Sequence, residues 1–237
     1  MLIFPAVDIL EGKAVRLLRG DYEKKTVYSE RPWECAEDFV SKGCTAIHIV
    51  DLDGARTGIP VNLEIVKRIA QMEGLFSEVG GGVRDMKTVE KLLNAGVSRV
   101  ILGTAALKNP AFLKEAVRTF NDKIAVGVDI KQGNIAVKGW IETSDMNGFD
   151  FIRNLEDLRV DNIIVTDISR DGAMSGANTE LYSKLSREVN MKITASGGVS
   201  SLADVHALRA LNLYGSIIGK AYYNGSLRLE DALEAAK

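Results

Sequence analysis

Proline is scarce in this 237-residue chain, with 4 residues, and cysteine is scarcer, with 2. So few prolines, and no Pro-, Ser- or Gly-rich tract, leave no linker to read by composition, and one domain is expected. Cys35 and Cys44 belong to no CxxC and to no Cys/His cluster at metal spacing, so neither a disulfide framework nor a zinc site is indicated. They read as buried thiols in a reducing compartment. No apolar run reaches the ~18 residues of a membrane span, and the stretch from Met1 to Asp8 meets an acidic residue too early for a secretory leader. A soluble, cytoplasmic protein is the expectation. Neither sign of charge dominates: 30 Lys and Arg face 32 Asp and Glu, a net of -2 without a basic block. Nucleic acid and membranes are therefore not expected as partners.

What the chain does have is alternation. Short apolar runs occur at Leu2 to Val7, Ala46 to Val50, Leu75 to Val79, Arg99 to Leu102, Ile124 to Val128, Asn162 to Val165, Met191 to Ala195 and Gly215 to Ile218. Their nearly continuous apolar character suits parallel strands covered on both faces. Between them, Pro32 to Gly43, Val61 to Met72, Met86 to Ala95 and Leu202 to Leu211 carry apolar residues at helical spacing. Eight strand–helix units of about 30 residues fill the length, the arithmetic of a (β/α)8 TIM barrel. An open doubly wound sheet is the alternative.

An internal repeat favours the barrel. Asp8-Ile9-Leu10-Glu11-Gly12 resembles Asp129-Ile130-Lys131-Gln132-Gly133, and Gly81-Gly82-Val83 matches Gly197-Gly198-Val199. Leu102-Gly103-Thr104 corresponds to Ile218-Gly219-Lys220, and Asp51 to Gly54 resembles Asp167 to Gly172 with a two-residue insertion. The expectation is one α/β domain over residues 1–237, built from duplicated half-barrels of approximately 1–120 and 121–237. In such a barrel, strands four apart face each other across the axis. Asp8 then faces Asp129, and the glycine loops after the third and fourth strands face those after the seventh and eighth, all on the carboxyl-end face where barrel enzymes keep their sites.

Glycines between a strand and a helix let backbone N–H groups approach an anion, and the helix amino terminus favours it further. Gly80 to Gly82 with Gly103 and Thr104 read as one phosphate site; Ser196, Gly197 and Gly198 with Gly219 and Lys220 read as the other. An elongated ligand with a phosphate at each end would cross the barrel mouth between Asp8 and Asp129. Two opposed carboxylates divide acid and base work when their environments separate their pKa values. For each aspartate alone, capping the next loop is the plainer role. His48 is one of only 2 histidines, in an apolar strand where a core role and a site role are both open; His206 reads as structural. Trp140 lies in a loop and suits stacking on a planar ligand group. Arg84 suits a phosphate or carboxamide, against a solvated helix start.

The set Pro5 to Asp8, Lys13 to Leu17, Gly20-Asp21-Tyr22, His48 to Leu52, Gly80 to Arg84, Gly139-Trp140 and Thr166 to Gly172 closely resembles the phosphoribosylformimino-aminoimidazole carboxamide ribotide isomerases of histidine biosynthesis. The likeness spans essentially the whole chain. It implies an Amadori rearrangement of a bisphosphorylated aminoaldose to an aminoketose, with Asp8 as base, Asp129 as acid, and no metal or cofactor. It also implies that Thr166, His48, Arg84, Trp140 and Asp171 orient the ligand, that Gly172 and Gly176 lend backbone contacts, that Arg19 helps a lid close, and that the protein is a monomer. Ala173 stands where many relatives carry Thr, and Tyr222 where Leu is frequent.

The cyclase subunit of the next pathway step is a rival, but it carries Cys-Leu-Asp on the first strand, Lys at the position of Arg16, and Gly-Tyr-Asp where this chain has Gly176-Ala177-Asn178. A bisubstrate isomerase that also acts on phosphoribosylanthranilate would use the same acid and base. A silent metabolite sensor is the third alternative, and retention of both aspartates argues against it.

Overall fold

The computed structural model describes residues 1–18, 20–137, 139–140 and 142–237. Eight parallel strands close on themselves: β1 (Leu2–Leu10), β4 (Ala46–Asp51), β5 (Phe76–Gly80), β6 (Arg99–Leu102), β7 (Ile124–Lys131), β10 (Asn162–Asp167), β11 (Lys192–Ser196) and β12 (Gly215–Ile218). At one seam between halves, Val100 pairs with Ile124 and Leu102 with Val126. At the other seam, Leu2 pairs with Gly215 and Pro5 with Ile218. Closure leaves none of these eight strands with a free edge, and that makes a (β/α)8 barrel rather than an open sheet.

Alternation along each strand divides the apolar residues between two cores. Phe4, Ala6, Ala46, Ile101, Ala125, Ile164 and Ile217 form a small cluster inside the barrel. Their neighbours along the strands, such as Val7, Ile47, Val100, Val126, Ile163 and Val165, join the larger core under the helices. That is why the strands read as unbroken apolar runs: both faces are dry.

The helices over that outer core start where the sequence supplies caps. Asp85 accepts from Thr88 N at 2.7 Å to begin Met86–Asn94, and Ser201 with Asp204 forms a capping box at the start of Leu202–Ala210. Each such cap is worth about 1 kcal/mol. The helix expected from Val61 runs only Leu63–Ala70, because the Asp51 carboxylate accepts from Val61 N at 2.8 Å and Asn62 N at 3.0 Å and holds them in the loop.

Two of the eight units are more elaborate than strand plus helix. β1 continues into β2 (Lys13–Leu18) and β3 (Asp21–Ser29), and β7 into β8 (Asn134–Val137) and β9 (Glu142–Asn147), all antiparallel. Both excursions turn on two residues with positive φ, Glu11 (54°) and Gly12 (77°), and Gln132 (51°) and Gly133 (86°). Positive φ at both positions marks the tight hairpin turn whose twist matches the strands. The repeat seen in the sequence therefore extends to the hairpins on opposite sides of the barrel mouth.

Candidate active site

A cavity of about 870 Å³ opens at the carboxyl ends of the strands. Every barrel strand, or the residue just after it, contributes to its lining: Asp8, His48, Gly80, Gly103, Asp129, Thr166, Ser196 and Gly219 in turn. The size suits a small-molecule ligand.

Asp8 and Asp129 occupy equivalent places on β1 and β7 but differ in surroundings. Asp8 pairs with Arg16, Nη1 lying 2.8 Å from Oδ2. The hairpin makes that pair: Asp8 is registered against Val15, so Arg16 on the next residue of β2 reaches back over it. Burial opposes the Arg16 charge, but Asp8, Asp171 and Tyr223 outweigh it, and its pKa is raised. Among the described residues, Asp129 has no such cation. Burial pushes its pKa up, against side-chain hydrogen bonds from Trp140 and Thr166 and the nearby His48. Asp171, also on the cavity wall, is raised by burial as well, with Arg16 opposing and the charges of Asp8 and Asp129 adding.

The glycine loops are built alike in both halves. A Cβ at Gly81 (φ 106°) would collide with the carbonyl oxygen of Asp51, and one at Gly197 (φ 89°) would come within 2.5 Å of the carbonyl oxygen of Asp167. Only glycine allows this approach with that φ. The aspartates are themselves anchored. Asp51 also accepts from Gly54 N at 2.8 Å and Asn62 Nδ2 at 2.7 Å; Asp167 accepts from Ser169 N at 3.0 Å and Asn178 Nδ2 at 2.6 Å. The partner loops match too: Gly103 (φ -97°, ψ -117°) and Gly219 (φ -108°, ψ -104°) precede short helices. Side chains around the loops differ. Arg56, Arg84 and Lys108 line the cavity from the first half, as does Arg16, which abuts Gly219, while Lys220 lines it from the second.

Of the residues singled out in the sequence, His48, Gly81, Gly82, Arg84, Gly103, Thr104, Trp140, Thr166, Asp171, Gly172, Ser196, Gly197, Gly198, Gly219 and Lys220 all line this cavity beside Asp8 and Asp129. Gly176 does not. It lies beneath the lining, where its carbonyl accepts from Arg170 Nη1 at 3.1 Å and abuts Gly198. Arg19 falls outside the described residues. Trp140, expected to stack on a ligand, is held at φ 72° against Gly20 and bonded to Asp129. His206 is exposed on a helix, away from the cavity. Reading by sequence missed Arg16, Tyr22, Arg56 and Lys108 as lining residues. Arg16 and Tyr22 had a signal, each lying in a stretch that carries the family resemblance, and Arg16 also stands eight residues from Asp8 across a Glu-Gly turn. Among the described residues, no group of three or more His, Cys, Asp or Glu side chains gathers as a metal site, and no helix is long and apolar enough to cross a membrane.

Comparison with known proteins agrees with this geometry over the full length. The histidine biosynthesis protein family matches residues 2–228. A protein of Clostridium acetobutylicum is 47% identical over 233 residues, covering 98% of both chains. One from Listeria welshimeri is 48% identical over 234 residues, 99% of this chain and 98% of its own. One from Roseobacter denitrificans is 47% identical over 238 residues, all of both chains. Each of the three is named 1-(5-phosphoribosyl)-5-((5-phosphoribosylamino)methylideneamino) imidazole-4-carboxamide isomerase. With the closed barrel, the duplicated glycine loops and full-length identity near one half, this chain belongs to the histidine biosynthesis protein family.

Proposed function

We propose that this protein is the isomerase its relatives are named for, converting the bisphosphorylated aminoaldose to the aminoketose by an Amadori rearrangement. One observation supports the mechanism: two carboxylates in unlike environments line one cavity together with two matched sets of glycine loops. The phosphates sit at Gly81, Gly82, Gly103 and Thr104 on one side and at Gly197, Gly198, Gly219 and Lys220 on the other, with the reacting ribosylamine between.

Asp129, its pKa raised by burial, donates a proton to the furanose ring oxygen. The C1–O bond breaks, the oxygen leaves as a hydroxyl, and the nitrogen lone pair forms an iminium with C1. Asp8, ion-paired with Arg16 at 2.8 Å, removes the C2 proton. The electron pair moves into a C1–C2 double bond and neutralises the iminium. The enolamine then takes a proton at C1 and gives up the C2 hydroxyl proton, which leaves the ketone. Because the iminium is the electron sink, the sequence of steps needs neither metal nor redox cofactor. Both carboxylates and both cradles come from one chain, so a monomer suffices, and the biosynthetic reading supports a cytoplasmic location.

The experiment is a turnover assay of purified protein, with and without a chelator, offering the histidine-pathway aminoaldose and phosphoribosylanthranilate side by side. Turnover of the first in chelator, lost in Asp8→Asn and Asp129→Asn, is expected. Binding without conversion by the wild type would refute an enzyme, and loss of activity in chelator would refute the metal-free scheme.

A further inference from the structure

Beneath the cavity floor lies a buried charged chain that the acid–base scheme does not use. His48 Nδ1 is 2.9 Å from Glu78 Oε1, and Glu78 Oε2 is 3.5 Å from Arg99 Nη1. The Glu78 side chain is 0% exposed and that of Arg99 5%. Arg99 is fixed from all sides: its guanidinium lies 4.9 Å from the centre of the Phe76 ring and 5.1 Å from that of Tyr214, Nη2 donates to the Tyr214 hydroxyl at 3.1 Å, and Nε donates to the Asp122 carbonyl at 3.4 Å. Parallel register sets the row, His48 standing opposite Glu78 and Glu78 opposite Arg99.

We propose that Glu78 is a positioning residue for His48, fixing the imidazole proton on Nδ1 and so making Nε2 a hydrogen-bond acceptor for a hydroxyl or amide donor of the bound ligand. The reasoning is donor arithmetic. A guanidinium has only donors, and an ionised carboxylate only accepts. With Arg99 below and His48 above, Glu78 takes a proton from both sides, and a neutral imidazole that donates through Nδ1 must leave Nε2 bare. His48 lines the cavity, and with Nδ1 engaged below, Nε2 is the nitrogen left for a ligand. The identity of that ligand rests on the isomerase reading; the tautomer does not.

Glu78→Gln gives an opposite and specific outcome. Arg99, which cannot accept, claims the amide oxygen, so the amide NH2 faces His48 Nδ1. Nδ1 must then accept, and the proton moves to Nε2, replacing an acceptor in the cavity with a donor. The chain has only 2 histidines, so imidazole 15N NMR on the ligand-free protein resolves both, with His206→Asn assigning the exposed one. At a pH where both rings are neutral, the wild type is expected to show His48 protonated on Nδ1 and Glu78→Gln to show it on Nε2. The KM for the aminoaldose is expected to rise about tenfold, the loss of roughly one hydrogen bond, with kcat less affected. Wild-type His48 protonated on Nε2, an unchanged tautomer in Glu78→Gln, or an unchanged KM would each overturn the proposal. The NMR needs no substrate, so a failed isomerase reading leaves the tautomer result intact, and the wild-type spectrum stands even if the variant folds poorly.

Discussion

Gly103 and Gly219 form a matched pair that isolates the Arg16–Asp8 contact. Both glycines end barrel strands and have nearly the same φ and ψ, so a methyl group perturbs the two backbones alike. Their surroundings differ. A Cβ at Gly103 meets nothing within 4 Å, whereas one at Gly219 would overlap Arg16 Nη2 and come within 2.6 Å of its Cζ, against ordinary contact at 3.4–4 Å. In Gly219→Ala the guanidinium must withdraw, and the 2.8 Å bond to Asp8, between side chains only 15% and 16% exposed, is broken or lengthened. A hydrogen bond between charged groups contributes about 1.5–3 kcal/mol. If that contact holds Asp8 as the base in the transition state, kcat/KM falls roughly 10- to 100-fold beyond the effect of Gly103→Ala. Steady-state kinetics on both variants measure the difference, and thermal unfolding checks that both fold. Equal kinetic losses in the two variants would refute the reasoning, because then the methyl acts only on the anion cradles and Arg16 is not tuning Asp8.

The buried charge of Asp129 makes a pH-dependent prediction: its raised pKa means the folded protein holds the proton more tightly than the unfolded chain, so this residue reduces stability as pH rises above the ordinary 3.8. Asp129→Asn should therefore melt higher than wild type at pH 7 and lose that advantage below pH 3.8 while lacking activity; a melting difference constant across pH would contradict the burial argument. Gly81→Ala forces a Cβ to 2.8 Å from the carbonyl carbon of Asp51 at positive φ, and denaturant unfolding should register a loss of about 2–5 kcal/mol from overpacking and backbone strain together. Gly74→Ala, with positive φ but open space around the site, should lose only the backbone part. Tyr222→Phe removes a hydroxyl that bonds Asp38 and accepts from Lys42 Nζ at 2.7 Å on the outer side of the barrel, so it should cost up to about 1 kcal/mol and leave kcat/KM unchanged.

The barrel strands were legible because burial on both faces writes an uninterrupted apolar run. Their carboxyl ends were not: β1 runs on through Asp8 to Leu10, and β7 through Asp129 to Lys131, since ladder hydrogen bonds continue where the side chains turn polar and face the cavity. The excursions Asp21–Ser29 and Glu142–Asn147 left no pattern, most of their residues being exposed, although the Glu-Gly and Gln-Gly turns that launch them stood out in the repeat. The glycine loops and both aspartates were visible as punctuation and symmetry. Glu78 was not: a charged residue inside an apolar strand gains its meaning only from Arg99 and His48 on neighbouring strands, 21 and 30 residues away. Tertiary register, not local sequence, makes that chain.

Each glycine cradle rests on the aspartate of the strand before it, Gly81 on Asp51 and Gly197 on Asp167. On the proposed reading, a complete anion grip therefore needs three consecutive units: one for the supporting carbonyl, one for the first glycine loop and one for the second. Add the unit that bears a catalytic carboxylate and the count is four, half of the barrel. A half-barrel alone would thus be a phosphate binder with a single proton-handling group, able to hold a ligand by one end but not to add and remove protons on opposite faces. On the duplicated half-barrel reading, joining two copies does more than close the sheet. It converts a monodentate binder into a site with two ends and two sides.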